Sequence, residues 1–133
     1  MTQQAAPDSP LVGRTILLVD DEDIVRLALS RMLRGFGCVV AEAASPAAAL
    51  AIAEVSGDEF AVVLTDVVMP GMNGRELAER LRADRPHLPV VFMSAYVPET
   101  AFPDGRMPER SRFLHKPFSR DELRAGLEAA LAS

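Results

Sequence analysis

The feature that most constrains the fold is a change of hydrophobic period that recurs along the chain. Largely apolar runs, TILLVD (15–20), CVVAEA (38–43), FAVVLTD (60–66) and LPVVFMS (88–94), with a fifth and shorter strand segment, SRFLHK (111–116), alternate with stretches of helical spacing. A short continuous run suits a strand buried on both faces. Strands that alternate with helices imply parallel pairing, right-handed crossovers and helices on both sides of the sheet. The expected class is therefore α/β, with a five-stranded parallel sheet.

The helical stretches carry start and stop signals. Ile24, Leu27, Ala28, Leu29, Met32 and Leu33 recur at helical spacing, and Gly35 and Gly37 end that segment. Ser45 stands as N-cap before Pro46 in SPAAALAIAEV. GRELAERLRAD (74–84) turns Leu77, Ala78 and Leu81 inward, and Ser119 and Glu122 have capping-box spacing at the head of the last helix. Between Ser94 and Ser111 three prolines, Pro98, Pro103 and Pro108, oppose a full-length helix. The fourth helix is expected to be short, displaced or irregular.

Composition bounds the rest. With 133 residues, 49% hydrophobic and 25% charged, the chain suits one globular domain. A net charge of −5 argues against nucleic-acid or anionic-membrane binding through bulk charge. No apolar run approaches the roughly 20 residues that span a bilayer. The opening MTQQAAPDSP lacks the pattern of a secretory signal. Residues 1–10 read as a flexible lead-in, and 11–133 as the domain. The lone Cys38 permits no intrachain disulfide; it reads as a small buried residue in a reducing, cytoplasmic setting.

Open parallel sheets bind ligands outside the carboxyl ends of their strands. Asp20 and Asp21 end the first strand, Asp66 the third, Ser94 the fourth and Lys116 the fifth. Folding would gather them on one rim. Carboxylates that crowd together repel. Hard oxygen ligands with open positions suit Mg²⁺, which keeps waters and accepts phosphate oxygens. The plainer reading is that Asp20, Asp21, Glu22 and Asp23 cap the first helix and oppose its dipole, with Glu22 or Asp23 as the cap.

This set resembles the receiver domain of two-component response regulators. The resemblance rests on Asp20-Asp21 after the first strand, on Asp66 within DVVMPGMNG, on Ser94-Ala95 and on Lys116-Pro117 in HKPF, and it runs from Gly13 to Leu131. It implies a flavodoxin-like doubly wound fold with strand order 2-1-3-4-5. It implies that Asp66 takes a phosphoryl group from a phosphohistidine, with Mg²⁺ held by Asp21, Asp66, the Val68 carbonyl and, through water, Asp20. Lys116 and Ser94 would contact phosphoryl oxygens, and Ser94, Tyr96 and Phe113 would form the switch. Phe113 has no hydroxyl, so packing alone would drive its swing. Val68 and Tyr96 depart from common choices and imply slow self-dephosphorylation.

The implied partner is a histidine kinase or phosphotransfer protein. Neither direct DNA binding nor membrane insertion is expected, and the chain is expected to be a monomer or weak dimer with no output domain. It would be no enzyme beyond its own phosphorylation and dephosphorylation. PVVFMSAYVPETAF and FLHKPFSRDEL are similar in style to receiver segments of hybrid histidine kinases. Two alternatives remain: a Mg²⁺-dependent phosphatase, with Asp21-Glu22-Asp23 as its D-x-D signature, and a receiver-like adaptor that is never phosphorylated.

Overall fold

The computed structural model describes residues 9–56, 60–96, 101–102 and 106–132. In chain order the elements are β1 (Thr15–Val19), α1 (Asp23–Gly35), β2 (Val39–Ala43), α2 (Pro46–Ser56), β3 (Val62–Asp66), α3 (Gly74–Asp84), β4 (Val90–Ser94), β5 (Ser111–His115) and α4 (Arg120–Ala132). The strands form one parallel sheet in the order β2-β1-β3-β4-β5. Fold class and order match expectation. The expected irregular helix falls between β4 and β5, where residues 97–100 and 103–105 lie outside the described ones. Residues 1–8 of the lead-in lie outside them too.

Every residue of β3 and β4 is buried, as continuous apolar runs require of central strands. Alternate side chains feed two cores. Leu17, Val63 and Phe92 face α2 and α3, where Ala49, Ala53, Leu77 and Leu81 meet them. Leu18, Leu64 and Met93 face α1 and α4, where Leu29, Leu33, Leu123 and Leu127 close the other side. Cys38 is buried as expected, its thiol 3.6 Å from the Leu11 carbonyl, and burial pushes its pKa up to about 11.

The caps follow the sequence in part. Ser45 Oγ accepts from the Ala48 amide at 3.0 Å. Ser119 and Glu122 form a reciprocal box at 3.0 and 2.7 Å. A second box, Asn73 with Glu76, opens α3; its N-x-x-E spacing was readable and was missed. At α1 the capping expectation fails. Glu22 occupies the cap position without a side-chain bond, and the Asp23 carboxylate turns to Arg26. Ile24 and Leu27, two of the residues that mark the helical period, are 84% and 51% exposed, while Ser30 is buried. The apolar arc of α1 is wider than its contact with the sheet.

Arg110, just before β5, holds a left-handed φ of 55°. Its carbonyl there accepts from the Val90 amide at 3.1 Å and from Arg82 at 3.0 Å. A side chain in this region costs roughly 1–2 kcal/mol, against about 0.5–1 kcal/mol for glycine's extra chain entropy. Arg110→Gly is expected to raise the melting temperature by about 2 °C, measured calorimetrically. A lower melting temperature would show that the arginine side chain outweighs its strain.

Candidate functional site

The sheet presents its carboxyl edge as a shallow acidic cup. Asp20 follows β1 and is wholly buried; its amide donates to the Ala43 carbonyl of β2 at 3.2 Å. Its Oδ1 accepts from the Glu22 amide at 2.9 Å, which turns the chain toward α1 and leaves the neighbouring Asp21 exposed. Asp66 ends β3 opposite Met93, and the next amide, Val67, donates to the Met93 carbonyl at 3.0 Å. The buried Thr65 hydroxyl fixes the Asp66 carbonyl at 2.9 Å. Carboxylate oxygens of Asp20, Asp21 and Asp66 lie within 4.8 Å of one another.

Lys116 reaches the cup from the far side of the sheet. Its amide donates to the Ser94 carbonyl at 2.9 Å, and its Nζ stands 2.9 Å from Asp66 Oδ1 and 3.2 Å from Asp20 Oδ2. The Lys116–Pro117 peptide is cis. Burial alone would depress the Lys116 pKa, but the hydrogen bonds and charges of Asp66 and Asp20 outweigh it and raise it. Burial pushes the Asp66 carboxyl up to about 6; the Lys116 hydrogen bond opposes this, while the charges of Asp20 and Asp21 add to it.

A proton held more tightly by the folded chain stabilises it at low pH. For Asp66 that contribution is complete below the ordinary aspartate range and is lost as pH rises to about 6. In metal-free buffer, unfolding free energy from this group is expected to fall by on the order of 2 kcal/mol between pH 4 and pH 6.5. Denaturant melts of parent and Asp66→Asn chains isolate it, because the asparagine chain lacks the step. Equal pH profiles would refute it.

Three carboxylates against one ammonium leave the cup short of positive charge when all are ionised. A divalent cation with oxygen preference fits that deficit. The expected residues Asp20, Asp21, Asp66 and Lys116 are thus brought together. Ser94 is buried beside them, but its hydroxyl is occupied within its own loop: it donates to the Tyr96 carbonyl and accepts from the Tyr96 amide at 3.2 Å. Tyr96 is 67% exposed, and Val68, two residues past Asp66, is exposed as well. Phe113 is half-buried on edge strand β5, its ring centre 6.4 Å from that of the exposed His115.

Two residues gain importance only from the geometry. Gly74, read in the sequence as the first residue of a helical stretch, presses its α-carbon against the Asp66 backbone, and its amide donates to the Val67 carbonyl at 2.8 Å. Arg26 sits against the Asp20 carbonyl at 2.8 Å. The only sequence signal for Arg26 was its i,i+3 spacing from Asp23.

Comparison with known proteins points the same way. The model of the response regulator receiver domain matches residues 16–128. The chain is 41% identical over 109 residues to the sensor kinase CckA of Brucella abortus, covering 82% of this chain but only 12% of that kinase. It is 31% identical over 118 residues to the response regulator receiver protein CpdR of the same organism, covering 89% and 97%. The crystal structure of the response regulator protein TrrA from Thermotoga maritima, in complex with Mg²⁺ and BeF, superposes with a TM-score of 0.75 at 27% identity, covering 89% of this chain and 99% of that one. With the sheet order, the acidic cup and its lysine already in place, these matches establish that the chain belongs to the response regulator receiver domains of two-component signalling.

Proposed function

We propose that the domain accepts a phosphoryl group from a phosphohistidine onto Asp66 and changes its partner contacts in response. The observation that carries this reading is the Lys116 ammonium lying between Asp66 and Asp20, beside the exposed Asp21 carboxylate. Asp20, Asp21 and Asp66, with the Val68 carbonyl, would hold Mg²⁺. The ion's chemistry there is charge neutralisation, which lets an anionic carboxylate meet an anionic phosphoryl group.

An Asp66 oxygen attacks phosphorus, the P–N bond to the donor imidazole breaks, and the imidazole keeps the electron pair and takes a proton. An acyl phosphate remains on Asp66. Lys116, released from its ion pair with Asp66, binds a phosphoryl oxygen. The Ser94 hydroxyl exchanges the Tyr96 carbonyl for another phosphoryl oxygen, and the loop after β4 follows it. Phe113, half-buried on β5, moves with that loop. Val68 brings no side-chain amide or acid to align water, and Tyr96, two residues past Ser94, is bulky enough to shield the acyl phosphate, so its hydrolysis is slow. The domain catalyses only its own phosphorylation and dephosphorylation.

The donor has a surface to dock on. Beside Lys116 runs an open groove of about 460 Å³, lined by Ile24 and Ala28 of α1 and by Ala95, Pro117 and Phe118. The exposed apolar arc of α1 forms one wall, which suits a helix of a histidine kinase or phosphotransfer protein. Among the described residues no helix is long and apolar enough to cross a membrane, in keeping with a cytoplasmic placement. The phosphatase alternative is weakened because Asp23 faces Arg26 rather than Asp66.

The test is intact-mass spectrometry with a panel of phosphorylated histidine kinases and Mg²⁺. One added phosphoryl group, absent without the metal and labile as an acyl phosphate is, supports the reading. Steady turnover of a small phosphate ester without a kinase would favour a phosphatase, and no gain from any donor would favour the adaptor.

A further inference from the structure

The least constrained of the three carboxylates is Asp21. It is exposed, and among the described residues its carboxylate has no hydrogen-bond partner. A metal-binding oxygen so placed depends on the backbone that carries it. That backbone is held from outside the cup by Arg26.

We infer that Arg26 is a positioning residue for the acidic cup, acting on the Asp20–Asp21 peptide rather than on the metal. One guanidinium nitrogen donates to the Asp20 carbonyl at 2.8 Å, another to Asp23 Oδ1 at 2.7 Å, and the third stands 3.4 Å from Glu42 Oε1. The Asp20 carbonyl lies past the end of β1, where the strand ladder no longer supplies a donor. Arg26 supplies it. The carbonyl and the Asp21 amide belong to one planar peptide, so fixing the oxygen fixes where the Asp21 Cα sits and limits how far its carboxylate can stray from the cup. The Arg26 side chain is only 16% exposed, with Glu42 on β2 and Asp23 one helical turn away holding its other edges. The planar fork is used on all sides, which a lysine cannot reproduce.

Charge alone would predict the opposite effect, since removing a cation near the cup should favour a second cation. Asp23 and Glu42 already neutralise the guanidinium, so its outward field is small and the lost carbonyl restraint decides the sign. Outer-shell partners of metal ligands change affinity by about 10–100-fold when removed. The low end applies, because Asp20 keeps its bonds from Glu22 and to Ala43.

This inference rests on the Mg²⁺ reading of the cup, and calorimetric titration of the metal-free full chain separates the two. Arg26→Ala is expected to raise the Mg²⁺ Kd about tenfold, and Arg26→Lys by less. Arg34→Ala is the control. Arg34 stands 3.9 Å from the same Glu42 and does not touch Asp20, so its Kd should stay within about twofold of the parent. Phosphotransfer by Arg26→Ala should be slow at limiting Mg²⁺ and recover to within about twofold at saturation. A folded Arg26→Ala or Arg26→Lys chain with parental or lower Kd overturns the inference alone, as does a rate deficit that persists at saturating Mg²⁺. A parent that binds no Mg²⁺ overturns the metal reading and the inference with it.

Discussion

An Asp66→Asn chain is expected to gain no phosphoryl group from any donor, a loss of at least ~10³-fold in rate, while becoming more stable in metal-free buffer at neutral pH. The two effects have one cause. Asp66 is 7% exposed, and its carboxyl, pushed up to about 6 by burial, is ionised at neutral pH at a cost to the fold. The amide nearly preserves volume and removes the charge. Part of the gain is lost because Lys116 surrenders its contact at 2.9 Å and keeps the one to Asp20 at 3.2 Å. The net gain is expected to be about 1 kcal/mol, read from urea unfolding at pH 7.5 with chelator present. Saturating Mg²⁺ should favour the parent, since the metal binds the ionised form. If Asp66→Asn still took up phosphate, another acceptor would have to exist. If it were less stable than the parent without metal, the Lys116 ion pair would outweigh the burial cost.

Gly74→Ala is the second large effect, and it needs no change of charge. A Cβ on Gly74 would sit well inside contact distance of the Asp66 carbonyl oxygen and 3.1 Å from both the Asp66 carbonyl carbon and the Val67 Cα. All three are backbone atoms, so no side chain can rotate away. The head of α3 would have to withdraw from the end of β3, straining the Gly74–Val67 hydrogen bond and dragging the peptide that carries Asp66. A cost of about 3 kcal/mol is expected, at the upper end for overpacking. Phosphotransfer should fall on the order of 100-fold, because a reacting carboxylate displaced by about an ångström loses its approach geometry. Gly71→Ala is the contrast. Gly71 has a φ of 84° but open space around its would-be Cβ, so it should cost only roughly 1–2 kcal/mol and leave the chemistry nearly intact. Melting and phosphorylation of the pair would decide. A Gly74→Ala chain with parental stability would mean that the approach is looser than the distances imply.

The strands were legible because their signal is local. A run buried on both faces must be largely apolar, and β3 and β4 are, up to the buried Thr65, Asp66 and Ser94 at their carboxyl ends. The cup was legible because topology does the gathering: acids at strand ends meet wherever parallel strands are neighbours, and Asp20 and Asp66 end adjacent strands. What stayed hidden is either relational or ambiguous in period. The surface of α1 was hidden because Ile24 and Leu27 share a helical period with the core residues Leu29 and Leu33, and periodicity does not say where a buried arc stops. Arg26 looked like any solvated arginine, since the carbonyl it holds is defined only once the chain turns out of β1. Gly74 read as the start of a helix, since its contact with Asp66 joins two ends of a loop. Capping by Asp23 failed because Arg26 takes its carboxylate, and Glu22 holds the cap position without a side-chain bond.

The two cores sit on opposite faces of a sheet whose middle strands admit no solvent. Such a slab resists bending, because any flexure would open voids on one side and crowd the other. A chemical event at the carboxyl edge therefore cannot travel through the slab as deformation. Under the proposed phosphorylation the change would run around the margin, through residues 94–96 and the half-exposed fifth strand, and a partner would read it on that flank.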